Sequence, residues 1–255
     1  MKLKNFKLGL KLWSTNLELI HDVNKLFEAG LYQYLELFAV PGSYQETITK
    51  WSKCKVPFVI HGAHYMAGMD LSDYAKFSSN QILINEAIQF ADTLLASKII
   101  FHPGVKGTLT ETAHQLSNIN DKRLLIENVP ALSIDGKFKL LGNKPEEISN
   151  LLMSVPGLGF CLDLVHAICA VNTHGVNYQT ILEGYISLNP HIVHIADNQI
   201  DSEIDKHLSL GTGSLPISQF LGMLPSDQMI TIESSKKPEN YFKLAAEEAK
   251  IFYEN

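Results

Sequence analysis

The chain has 255 residues, a formal net charge of −6, 45% hydrophobic residues and one arginine, Arg123. That balance excludes a protein that coats nucleic acid with a basic field, and it leaves almost no guanidinium for clamping phosphates or guanines. It supplies ample material for a core but no apolar run long enough to span a bilayer.

The predicted elements alternate from the start. Leu8–Leu12 reads as a strand, followed by a helix over Leu17–Ala29 with Leu19, Val23, Leu26 and Phe27 at helical spacing. Tyr34–Phe38 is a strand and Ser43–Ser52 a short helix. Phe58–His61 is a strand, then comes a long loop and a helix carrying Ile84, Ile88, Ala91 and Leu95. Strand Lys98–His102 leads to a weak helix over Leu109–Asn118. Strand Leu124–Asn128 leads to a helix over Pro145–Met153 with proline in its first turn. Strands Leu158–Leu162, His191–Ala196 and Met229–Ile232 alternate with helices Tyr178–Leu188, Ile217–Leu224 and Glu239–Phe252.

Eight strands alternating with eight helices predict a parallel α/β architecture, and eight units in this length predict one (β/α)8 barrel, a single TIM-barrel domain over residues 1–255. The competing open, doubly wound sheet wants a glycine-rich phosphate turn after its first strand. The turn here is Leu12-Trp13-Ser14-Thr15-Asn16. Cys54, Cys161 and Cys169 form no CxxC pair, and Met1–Lys7 opens no secretory h-region, so a reduced cytoplasmic setting is expected. Cys161 lies inside an apolar run and reads as a small core residue.

From residue 58 onward, six apolar runs end in a potential metal ligand: His61, His102, Glu127, Asp163, His194 and Glu233. Ligands repeated at strand C-termini read as one site viewed down the mouth of a barrel. Beyond the strands, Asp163-Leu164-Val165-His166 places two ligand types three apart across a strand-to-loop bend. Asp205-Lys206-His207 places two more on one side of a segment read as extended. These nine residues comprise imidazoles and carboxylates and no thiolate, a mixture that suits zinc, manganese or iron. Nine exceed the needs of one ion, whereas two or three ions sharing carboxylates would use them. His64 lies three residues beyond His61 and could substitute for it. Lys206 could meet a phosphate, and Trp13 and Tyr65 could stack on a substrate ring. Asp197, three after His194, reads as a turn former or as a support for a ligand.

The run Gly159-Phe160-Cys161-Leu162-Asp163-Leu164-Val165-His166 resembles a signature of the endonuclease IV family, within the xylose isomerase-like TIM barrels. His102-Pro103-Gly104, Glu127-Asn128 and Asp205-Lys206-His207 with Gly211-Thr212-Gly213 resemble its other signatures in the same order. The resemblance covers nearly the whole chain and implies a phosphodiester hydrolase with up to three zinc ions. His61, His102 and Glu127 would hold the first ion; Glu127, Asp163, His194 and Glu233 the second; His166, Asp205 and His207 the third. Glu127 would bridge, and Glu233 would orient the attacking water. Abasic DNA is the substrate the family implies.

The chain departs from the pattern where the family meets DNA. The first strand reads Gly9-Leu10-Lys11-Leu12-Trp13 in place of Gly-x-His-x-Ser. The loop Ala39–Tyr44 carries no arginine, Gly-Thr-Gly replaces Gly-Glu-Gly, and Tyr65-Met66 is offset by one from the family's stacking pair. The alternative function is a sugar or sugar-phosphate isomerase or epimerase. In that enzyme Glu127, Asp163, His194 and Glu233 would hold one divalent ion, and Glu127 and Glu233 would move the proton beside a carbonyl. The acidic charge and lone arginine favour a small substrate of that kind.

Overall fold

The computed structural model describes residues 5–236 and 238–254. Eight parallel strands close into a barrel in sequence order: β1 Lys7–Trp13, β2 Tyr34–Phe38, β3 Phe58–His61, β4 Ile99–Phe101, β5 Leu124–Glu127, β6 Gly159–Asp163, β7 Ile192–Ile195 and β8 Met229–Ile232. The ring closes where β1 pairs with β8, Lys7 to Leu10 lying beside Met229 to Ile232. Helices α1 Ile20–Glu28, α2 Tyr44–Trp51, α3 Phe77–Thr93, α4 Leu109–Ser117, α5 Pro145–Ser154, α6 Leu164–His174, α7 Tyr178–Ile186, α8 Ile217–Met223 and α9 Tyr241–Glu254 connect the strands and complete the chain. The predicted (β/α)8 barrel is the observed fold.

Each strand reads as an apolar run because both its faces are buried. Side chains alternate. In β1, Leu8, Leu10 and Leu12 join the large core cluster shared with the helices. Inside the barrel, Tyr34, Val59, Ile100, Leu125, Cys161 and Ile192 form a separate apolar layer. Gly9 makes room for it: a Cβ there would lie 2.2 Å from the Tyr34 ring. Two residues further along five of these strands, the same inward direction is occupied by Glu36, His61, Glu127, Asp163 and His194, all buried. His102 follows Ile100 just past the end of β4 in the same way. The strand period of two therefore stacks the polar layer directly on the apolar one.

One helix lies outside the sequence expectation. Leu164–His174 is helical, and Leu164 to Val171 are all buried, so it shows no polar face and no 3.6-residue alternation to betray it. Asp163, read from sequence as a strand end, is its N-cap and accepts a hydrogen bond from the His166 amide at 2.7 Å. His166 thus sits in the first turn of α6 rather than on a strand-to-loop bend. A second correction concerns Asp205–His207, which is a tight turn and not extended. Asp205 Oδ1 accepts the His207 amide at 2.8 Å, and His207 has φ +46°.

Candidate metal centre

Glu127, at the end of β5, stands at the middle of the barrel mouth. Its Oε2 lies 3.1 Å from His61 Nε2, 3.3 Å from His102 Nε2 and 3.4 Å from His194 Nδ1. Its Oε1 lies 3.2 Å from His166 Nδ1. Four imidazoles therefore converge on one carboxylate. Burial works against the Glu127 charge, but His102 and His194 dominate and hold its pKa well below the carboxylate range.

The imidazoles are oriented by their other nitrogens. His61 Nδ1 lies 2.8 Å from the Gly62 carbonyl, which fixes Nδ1 as donor and leaves Nε2 as a lone-pair atom aimed at Glu127. His166 Nδ1 lies 2.9 Å from the Asn128 carbonyl, and its Nε2 faces Asp205 Oδ2 at 3.4 Å. Asn128 also pairs with the Asp163 backbone through both its amide nitrogen and its oxygen, at 2.9 and 2.8 Å. That locks the start of α6 against the end of β5.

Ligand atoms gather in two groups that match the expected first and third sets, His61 with His102 and Glu127, and His166 with Asp205 and His207; within each, all lie within 4.8 Å of one another. The expected second set is spread over three groups: His194 and Glu233 with Glu36, Glu127 and Asp163 with His166, and Glu127 and His194 with Cys161, a thiol read from sequence as a small core residue. His64 lines the cavity and stacks on His102 at 5.3 Å, but belongs to none of these groups.

The residues fit divalent cations. Glu127 Oε1 and Asp205 Oδ2 are buried without a hydrogen-bond partner, although ionisable neighbours surround them. Such orphaned atoms are costly unless an ion satisfies them. Asp163 is pushed up to about 7, by burial first, then by Asp205, Glu127 and Glu233 against the opposing pull of His166. Too much negative charge is packed here for the side chains alone to balance. The donor set of nitrogen and oxygen suits zinc, manganese or iron.

Residues 52–254 match the model of the xylose isomerase-like TIM barrel family. The chain belongs to this family. A search of curated proteins finds no significant match. Among solved structures, endonuclease IV from Thermus thermophilus superposes with a TM-score of 0.68 at 20% identity, covering 96% of this chain and 97% of that one. A D-tagatose 3-epimerase-like protein gives 0.66 at 20% identity, covering 97% and 98%. A third structure, the TTHB071 protein of Thermus thermophilus from a crystal soaked with zinc chloride, gives 0.67 at 19%, covering 96% and 98%. At these identities the likeness is one of fold. A nuclease and an epimerase-like protein stand equally near, so the fold does not choose between reactions.

Within this xylose isomerase-like barrel, the mouth is a cavity of about 230 Å³ floored by His61, His102, Glu127, His166, Asp205, His207 and Glu233. Its walls are largely apolar, with Trp13, Phe38, Tyr65, Met66, Val129, Pro130, Leu132, Ile134 and Leu140. A short hairpin closed by the Leu132–Lys139 bridge forms one wall. Trp13 and Tyr65 thus border the cavity. Lys206 is exposed and does not line it. Arg123 is tied to Asp92 and Asp121, both at 2.6 Å, outside the cavity lining.

Two charged residues in the barrel escaped the sequence reading. Glu36, midway along β2, is fully buried, and its Oε2 lies 2.9 Å from His194 Nε2 and accepts the Thr231 hydroxyl at 2.8 Å. Lys11 of β1 pairs with Glu233 and lies 3.3 Å from Glu36 Oε1. Burial opposes the lysine charge, but Glu233, Glu36 and Glu127 together raise its pKa above the usual value. A signal for both exists in the sequence: each is the lone charge within its predicted strand, Leu8–Leu12 or Tyr34–Phe38. Neither stands at a run end, where the other ligand types are found.

Asp197 explains how the loop between β7 and α8 holds Asp205 and His207. Its Oδ1 accepts the Asn198 and Leu215 amides, and its Oδ2 accepts the Gly211 and Gly213 amides at 3.0 and 2.9 Å. Its backbone pairs with Leu208 in both directions. Gly-Thr-Gly is therefore a cradle for this protein's own carboxylate. A Cβ at Gly213 would lie 2.3 Å from both Asp197 Oδ1 and the Asn198 carbonyl. Asp197→Asn turns an NH₂ toward amide donors and should weaken metal affinity of the His166–Asp205–His207 group roughly ten- to a hundredfold. Chelator competition followed by metal analysis measures this. Unchanged affinity would remove Asp197 from any role in supporting the ligands.

Proposed function

We propose that this protein is a metal-dependent hydrolase of small phosphoesters, with two or three zinc, manganese or iron ions at the barrel mouth. The observation that carries the reading is the His166–Asp205–His207 group. These residues lie beyond the strand ends, two of them, Asp205 and His207, on a dedicated braced loop, and they have no task in an isomerase that uses one ion. Divalent ions bound there supply Lewis acidity at the phosphoryl oxygens and lower the pKa of the attacking water.

The chain's own residues divide the remaining work. Glu127 joins the His61–His102 side of the floor to His166, which fixes the spacing of the ligand groups. Glu233 lines the cavity and is steadied by Lys11 and His194, so it can orient a water and accept its proton. Trp13, Phe38 and the 132–139 hairpin keep bulk water from the floor and offer an apolar surface to the leaving group. The small walled cavity, the acidic net charge and the sequestered Arg123 favour a small phosphoester over an abasic duplex.

The same enclosed cavity keeps the sugar or sugar-phosphate isomerase reading in play, with Glu127 and Glu233 as the proton-moving pair. One set of assays separates the readings. The metal-loaded protein is offered p-nitrophenyl phosphate, bis(p-nitrophenyl) phosphate, an abasic-site duplex, and D-fructose and D-tagatose with their phosphates. Turnover of a small phosphoester that disappears in folded His207→Ala is the expected outcome. Ketose epimerisation with one ion per chain and no phosphoester turnover would overturn the proposal. Nicking of the duplex would instead return abasic DNA as the substrate.

A further inference from the structure

We infer that the ammonium of Lys11 fills the second cation position of this centre, so the barrel takes two metal ions and keeps a lysine where a third would sit. The inference rests on the multi-ion reading given above.

Four side chains form a closed ring in the β1–β2–β7–β8 quadrant. Lys11 Nζ pairs with Glu233 Oε1 and lies 3.3 Å from Glu36 Oε1. Glu36 Oε2 lies 2.9 Å from His194 Nε2, and His194 Nδ1 lies 2.7 Å from Glu233 Oε1. Glu36, His194 and Glu233 are the group that could hold an ion here. Glu233 Oε1 already faces both the ammonium and an imidazole nitrogen. An ion bound through that oxygen would sit against a positive charge with little water to screen it. Among the described residues, no lysine or arginine forms an ion pair with a member of the His61–His102–Glu127 or His166–Asp205–His207 groups, whose carboxylates pair only with histidines.

Charge points the same way. The floor and the ring, with Asp163 beside Glu127 and His166, hold five carboxylates: Glu36, Glu127, Asp163, Asp205 and Glu233. Two divalent ions and one ammonium neutralise five carboxylates. Nor can Lys11 easily swing aside. It projects from β1 into the barrel beneath Trp13, its side chain is only 12% exposed, and its partner Glu36 is fully buried. Unlike an ion, this cation is covalently tethered, so a chelator cannot remove it.

The test is metal counting on folded full-length protein, which needs no substrate. Wild type saturated with zinc and desalted should hold about two equivalents per chain by elemental analysis. Lys11→Met frees Glu233 and His194 and should rise to about three, while Lys11→Arg, which restores the charge, should stay near two. Anomalous scattering from manganese-soaked wild-type crystals should show peaks at the two histidine-rich groups and none against Glu36 and Glu233. Three equivalents in wild type, an anomalous peak at Glu36–Glu233, or a folded Lys11→Met that stays at two would each overturn the inference. If Lys11→Met does not fold, the anomalous map decides alone. A hydrolase with three ions would sink the lysine's role but keep the proposed function. A one-ion isomerase would sink both.

Discussion

Glu127→Gln should abolish turnover by about a thousandfold or more and strip at least one metal ion, while leaving the barrel folded. The amide matches the carboxylate in size, so packing against the apolar layer below is preserved. What disappears is the one negative charge that His61, His102, His166 and His194 all share. A shared carboxylate contributes to more than one ion at once, and losing several kcal/mol of charge stabilisation in the transition state corresponds to roughly three decades in rate. Elemental analysis and phosphoester kinetics on the same preparation provide the readout. Full metal occupancy with kcat within about threefold of wild type would show that Glu127 is not the hub of the centre. The defect should also exceed that of Asp197→Asn, since Asp197 acts on one ligand group through a loop.

The second large effect is expected in stability. Glu248→Ala should lower the thermal midpoint by about 10 °C. Glu248, on α9, is 2% exposed, and its Oε2 lies 2.6 Å from Lys236 Nζ. Its Oε1 accepts the Leu210 amide at 3.1 Å and the Ser234 hydroxyl at 2.5 Å. Truncation leaves a buried ammonium and two donors without their acceptor, which costs about 3–5 kcal/mol. In a protein of this size each kcal/mol moves the midpoint by roughly 2–4 °C. Burial depresses the Lys236 pKa while Glu248 supports it, so the orphaned lysine is the main liability. Adding Lys236→Met to Glu248→Leu removes both charges and should recover most of the loss. A midpoint within about 2 °C of wild type for Glu248→Ala alone, by calorimetry at matched metal load, would refute this account.

Much of the barrel was readable because parallel strands buried on both faces leave compact apolar runs, and six of the eight ended in a polar residue that had to be explained. The gathering of the six strand-end residues at the barrel mouth was legible for that reason, and that of His166, Asp205 and His207 through their short spacings. Three things were hidden, each for a physical cause. Helix α6 is buried along its first eight residues and so lacks an amphipathic pattern. Lys11 and Glu36 sit one layer down, where alternation within a strand rather than its end point carries the signal. The division of His194 and Glu233 from Asp163 depends on side-chain pairing across the barrel, which strand order alone does not specify.

The Asp197 cradle has an evolutionary consequence. Six ligands belong to the strand register, and inserting one residue into any of those strands would turn its ligand toward the helices. Asp205 and His207 instead ride on a loop pinned by one carboxylate and two glycines. Shortening or redrawing that loop would delete the candidate ligands Asp205 and His207 and leave the strand register untouched. A lineage could thus pass between a lone ion and several by remodelling one surface segment, with every intermediate keeping a sound barrel.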